Sequence, residues 1–311
     1  MSIAINIEYV KFPKLNPLRW LKYDGTSTDD FFYNQVPDYE GARLYEQPYE
    51  QSDPINAQIQ YRTSMISSVK MELVDEDMNV VATATNVPLV TVGSWDYLHF
   101  SMVAPALTGC YYGLITLTMT DSSTQVYISE PVRLAASHEG TIAIDYGHDE
   151  NDFDMVFQPG AVGLSDTDAL SFVSSDAIIY RLRVEGGLWS KDKKVGSDDV
   201  VYINESHNST LLNAVPYDIF TYSFGTAKGV PFYILDIINR IFSCANVRID
   251  DVMYTKNESA GLDIAGVERY SLQTATLQLL YKENESSKSY AIGANNKGIG
   301  YMTIAFDFIV T

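Results

Sequence analysis

Val69-Lys-Met-Glu-Leu-Val74, then Asp75-Glu-Asp-Met-Asn79, then Val80-Val-Ala-Thr-Ala-Thr85 is the stretch that decides the fold. Apolar residues alternate with charged or polar ones, a run of acids breaks the alternation, and the alternation resumes. A period of two puts one face in a core and the other in water, so the stretch predicts a β-hairpin. The same signal repeats on both sides, in Ala57-Gln-Ile-Gln-Tyr-Arg-Thr63, Tyr97-Leu-His-Phe-Ser-Met-Val103, Tyr111-Tyr-Gly-Leu-Ile-Thr-Leu-Thr-Met119 and Gln125-Val-Tyr-Ile-Ser-Glu-Pro-Val-Arg-Leu134. Short strands with turns roughly every 8–12 residues predict an antiparallel β-sandwich of immunoglobulin-like size over residues 51–137. The Cys…Trp…Cys core pattern of antibody domains is missing.

Ala135-Ala-Ser-His-Glu-Gly140 reads as a joint, and residues 138–311 as a second β-rich domain. Strand patterns stand at Thr141-Ile-Ala-Ile-Asp-Tyr146, Phe153-Asp-Met-Val-Phe-Gln158, Ile178-Ile-Tyr-Arg-Leu-Arg-Val-Glu185 and Tyr217-Asp-Ile-Phe-Thr-Tyr-Ser-Phe224. Val247-Arg-Ile-Asp-Asp-Val-Met-Tyr254 predicts a short hairpin, and Leu272 to Tyr281 and Tyr301 to Val310 two closing strands. Gly, Lys and Asp between Gly186 and Asp199 predict a loop. One amphipathic helix is expected over about 230–243, opened by Pro231. Leu235, Ile238 and Phe242, flanked by Ile234 and Ile241, form its sheet-facing side, with Asp236, Asn239, Arg240 and Ser243 opposite.

Residues 1–50 have no usable period. Trp20, Tyr23, Phe31, Phe32, Tyr33, Tyr39, Tyr45 and Tyr49 are spread among Asp, Glu, Gly and Pro. Such a segment cannot bury its own apolar groups and must lie on other surfaces, either this chain's own domains or neighbouring subunits. We read it as an extended assembly arm, with these aromatics as its subunit contacts. A chain without residues 1–50 is then expected to keep its two domains and lose assembly.

The 311 residues carry 21 basic and 40 acidic side chains, a formal charge of −19. Phosphate contacts need clustered Lys and Arg, so no nucleic-acid partner is expected. No apolar run approaches the ~18 residues of a membrane span. Met1-Ser-Ile-Ala-Ile-Asn6 shows no signal-peptide pattern, so folding in the cytoplasm is expected. Cys110 and Cys244 are expected as buried free thiols. The sequons at Asn204, Asn208, Asn257 and Asn284 read as chance matches in polar loops. The 22 tyrosines favour strands and broad contact surfaces.

No phosphate loop, dinucleotide fingerprint, nucleophile elbow or cysteine pair at metal spacing is present. His99, His138, His148 and His207 are scattered. The acidic run from Asp145 to Asp154 loosely follows a calcium loop, but Phe153 interrupts the alternation and the distal Glu is missing, so it reads as a solvated turn. Asp166, Asp168, Asp198 and Asp199 read the same way. The chain is expected to be no enzyme, with no cofactor and no metal.

Gly225-Thr-Ala-Lys-Gly-Val-Pro-Phe-Tyr-Ile-Leu-Asp-Ile-Ile-Asn-Arg-Ile-Phe-Ser-Cys-Ala-Asn-Val-Arg-Ile-Asp-Asp-Val-Met-Tyr254 resembles a segment of tail proteins from bacteriophages and prophages of the Bacteroidetes. So do the strands from Asn56 to Arg133, ending Ser129-Glu-Pro-Val-Arg133, and the transition from Ile142 to Asp154. The resemblance implies a virion structural protein, of distal tail or baseplate type, assembled in the host bacterial cytoplasm and located in the tail. It implies a homo-oligomeric ring, often sixfold in that family, and other virion tail proteins as partners. A head or neck station is one alternative. A carbohydrate-binding β-sandwich for adhesion or receptor recognition is another, in which Trp95 or Trp189 would stack on a sugar.

Overall fold

The computed structural model describes residues 9–28, 45–147, 178–188, 194–203, 209–225, 229–244, 246–257, 260–266 and 272–281. The expected strands at 153–158 and 301–310 lie outside the described residues.

The protein is mainly β, built from antiparallel sheets with one helix among the described residues. A four-stranded sheet runs β1 (Val10–Lys11), β4 (Pro54–Arg62), β8 (Trp95–Val103), β7 (Thr85–Val92). A six-stranded sheet runs β2 (Trp20–Tyr23), β10 (Thr124–Ala135), β9 (Gly109–Met119), β5 (Ile66–Val74), β6 (Val80–Thr83). Its remaining strand, β3 (Gln47–Glu50), lies parallel to β10. Ile55, Ala57, Ile59 and Phe100 of the first sheet and Met71, Leu73, Ile115 and Leu117 of the second fill one core, which makes this half a sandwich. The deciding hairpin is β5–β6. Asp75 holds its turn, accepting the backbone N–H of Asp77 at 3.0 Å and of Asn79 at 2.8 Å. That lets Met78 take φ +65°, which a turn but not a strand tolerates.

The other half closes on itself. Its strands are β11 (Thr141–Gly147), β12 (Tyr180–Leu188), β13 (Lys194–Ile203), β14 (Ser209–Phe224), β15 (Val230–Pro231), β16 (Asn246–Ile249), β17 (Val252–Lys256), β18 (Asp263–Gly266) and β19 (Leu272–Tyr281). Antiparallel pairing runs β14–β12–β11–β16–β17–β19, and β19 pairs back to β14. Tyr222, Ser223 and Phe224 are laddered on both edges, so six strands form a barrel without open edges along that circuit. Alternate residues Ile142, Ile144, Tyr146; Leu182, Val184; Tyr222, Phe224; Leu277, Leu279 share its core. Asp250 and Asp251, at φ +48° and +67°, make the two-residue turn of the β16–β17 hairpin.

The helix α1 spans Phe232–Ile241 and buries Ile234, Leu235, Ile237, Ile238 and Ile241 in the same core, with Phe242. It is shorter than the sequence pattern because Val230 and Pro231 pair with β19 as β15. Pro231 is thus the residue before the first turn, in extended geometry. Asp236 and Arg240 form an i,i+4 ion pair at 3.0 Å. No helix among the described residues is long and apolar enough to cross a membrane. Cys110 and Cys244 are half-buried thiols not joined to one another, and burial pushes the Cys110 thiol up to about 11.

Candidate assembly interface

Of the aromatics expected to meet neighbouring subunits, Trp20, Tyr45 and Tyr49 are buried in this chain's own cores. Trp20 lies over Gly113, where a Cβ would stand 2.7 Å from the indole ring, so the glycine is what admits the tryptophan. Tyr23 is half-buried at the end of β2. Phe31, Phe32, Tyr33 and Tyr39 lie outside the described residues. Arg19 pairs with the buried Glu130, which ties the same stretch to β10. Leu15 joins the barrel core and Leu18 the sandwich core.

The sandwich meets the barrel across a polar seam. Arg183 grips Asp53 with two hydrogen bonds, Nε to Oδ2 at 2.8 Å and Nη2 to Oδ1 at 3.1 Å, and also pairs with Glu50 at 2.9 Å. Arg181 donates to Asp53 Oδ1 at 2.9 Å and holds both oxygens of Asp145 at 2.6 Å. Asn56 donates to the Ile179 carbonyl at 2.7 Å, Gln47 to that of Arg183, and Tyr146 Oη to that of Leu15. Thus Asp145, read as part of a solvated acidic turn, is an ion-pair partner in the seam. Tyr146 and Gly147 complete β11, and residues 148–154 lie outside the described residues.

Burial alone would raise the Asp53 carboxyl, but hydrogen bonds from Arg183, the Glu50 N–H and Arg181 outweigh it and hold it below the usual range. A depressed carboxyl stabilises the fold above the ordinary aspartate value near ~4 and loses that contribution as pH falls through the lower folded value. Asp53→Ala strips a shared acceptor from two arginines and is expected to cost about 3 kcal/mol at neutral pH. Melting curves against pH should show the gap between wild type and variant closing below about pH 4.

The histidines do not gather. His99 is buried in the seam, edge-on to Tyr180 with ring centroids 5.8 Å apart, and burial lowers it to about 4. His138 lies on the loop after β10, its backbone N–H on Glu50 Oε1 at 2.8 Å. His148 and His207 are outside the described residues. Among the described residues no group of three or more His, Cys, Asp or Glu side chains is placed to hold a metal ion. Trp95 is half-buried with Lys11 Nζ and Arg62 Cζ over its ring, 5.0 and 4.9 Å from the centroid. The ring that would stack on a sugar is therefore occupied by two cations, and Trp189 lies outside the described residues.

The surface that stands out is one that the sequence reading made a loop. Lys194 to Ile203 is strand β13, paired with β14 from Ile219 back to Ser209. β14 enters the barrel only from Ile219 onward, so residues 194–203 and 209–218 form a two-stranded ribbon running beyond it. Gly196 is why the sequence looked like a loop. Its cross-strand partner Tyr217 lays its ring where a Cβ would be, 2.4 Å from Cε2. An aromatic thus covers the glycine and replaces the missing side chain. Along the ribbon Val195 is 80% exposed, Ile203 63%, Leu211 58%, Tyr202 57% and Val201 49%. Val201 and Leu211 are direct cross-strand partners, so at the tip two apolar side chains stand together in water.

Comparison of the chain with family models, curated proteins and solved structures returned no match.

Proposed function

We propose that the chain is a structural subunit of a bacteriophage tail, set in a homo-oligomeric ring at or near the tail tip or baseplate beside other tail proteins, and that it catalyses nothing. The ribbon carries this reading. A two-stranded hairpin is marginal in water by itself, and this one presents large apolar side chains along its length. Such a feature suits a protein whose working state is an assembly. The resemblance of Gly225 to Tyr254 to phage tail proteins supplies the setting, and the virion tail is the proposed location.

A closed ring joins two different patches on each subunit. The −19 charge opposes close approach, but exposed charges more than ~8 Å apart are screened at physiological salt. Assembly is therefore expected to weaken as salt is removed. The test is light scattering of the purified chain beside Ile203→Glu/Leu211→Glu, two exposed positions whose change leaves both cores intact. Assemblies larger than a dimer, lost in the variant with its melting curve unchanged, are expected. A wild-type chain that stays monomeric at every concentration contradicts the proposal.

A further inference from the structure

We propose that β13 is a strand-addition edge whose occupant is the β13 of a second copy of this chain, paired antiparallel with Gly196 opposite Gly196. β1, β2, β6, β15 and β18 are four residues or shorter. The eight-residue edge β7 carries Pro88, and the part of β14 outside the barrel carries Pro216. Proline has no N–H to offer a ladder, so it blunts an edge against strand addition. β13 has ten residues, no proline and, among the described residues, a single strand partner, β14. It is the long edge without a proline.

Its charges select the occupant. The sequence reads Lys193-Lys194-Val195-Gly196-Ser197-Asp198-Asp199. Antiparallel self-pairing about Gly196 sets Lys194 opposite Asp198 and Val195 opposite Ser197. Because the axis is twofold, each pairing occurs twice, and the contact joins copies of two rings, separate from the contacts between two different patches that close each ring. A copy of the same strand is thus charge-complementary to it, although the whole chain is strongly acidic. At the axis Gly196 adds no side chain, and Tyr217 already covers its position. Over residues 194–198 pairing also strengthens the ribbon, since two strands per copy become four there.

Lys194 is paired with Ile219 and Asp198 with Val215. Both register partners within the ribbon are uncharged residues, which makes charge exchange a clean test. Sedimentation equilibrium of the full chain is expected to show a pairing step that Asp198→Lys and Lys194→Asp each weaken about tenfold, two attractive cross-strand pairs becoming repulsive ones. The double variant Lys194→Asp/Asp198→Lys restores the complement and is expected to return to within about threefold of wild type. Circular dichroism should show all four chains equally folded. A wild type that never pairs, or a double variant as weak as the singles, overturns the proposal. Rings that form but ignore both exchanges also overturn it, and leave the ring reading standing.

Discussion

Leu235→Asp is expected to leave the chain insoluble. Leu235 is fully buried in α1, in a core shared with Phe224, Ile249 and Leu277 of the barrel. The change removes a buried leucine and puts a carboxylate among the apolar side chains of that core. Each effect alone costs several kcal/mol, and together they reach ~5 kcal/mol or more, the scale of a domain's whole stability. Asn239→Asp, on the exposed side of the same helix, is the control and should remain soluble with a melting temperature close to wild type. Soluble expression and a normal melt for Leu235→Asp would mean that α1 does not seal the barrel core.

Deleting residues 1–50 should unfold the chain, where the sequence alone predicted that the domains would survive. The described part of the segment supplies three strands, β1 on β4 and β2 and β3 on β10. Asn16 bonds both backbone groups of Gln58, at 2.9 and 2.8 Å, in the manner of another strand. Leu15, Leu18, Trp20, Tyr45 and Tyr49 are buried. At ~2 kcal/mol for each buried side chain their loss comes to roughly 10 kcal/mol, which no domain of this size has to spare. Chemical denaturation and proteolysis of the truncated chain read the result. A protease-resistant, cooperatively melting product that fails only to assemble would return the segment to the role of an arm.

These contrasts show where a sequence is readable. The β5–β6 hairpin was legible because one strand face is in water, so the alternation is written in the residues. The apolar side of α1 was legible for the same reason at a period of 3.6. Residues 1–50 were not, because their partners, Gly113, Gln58 and Glu130, are supplied by distant strands. Barrel closure was hidden as well. It depends on Tyr222 to Phe224 being paired on both edges, and nothing local marks a strand that has two partners. The ribbon was misread because Gly196 and the acidic pair Asp198-Asp199 have loop character by composition. What makes them strand is a backbone ladder to β14 and the Tyr217 ring over the glycine. The seam arginines Arg181 and Arg183 stood in a recognised strand, but their acceptor Asp53 lies 128 and 130 residues away in sequence.

The chain is expected to work as one of many copies around an axis. Electron microscopy of the recombinant assembly, and of virions carrying the chain, measures this most directly. The expected image has several copies arranged about the tail axis near the tip, each neighbouring pair burying at least ~1,000 Å², with the β13–β14 ribbon inside a contact. A particle in which the chain is absent from the tail, or a stable monomer that binds a defined oligosaccharide at micromolar concentration, would contradict it.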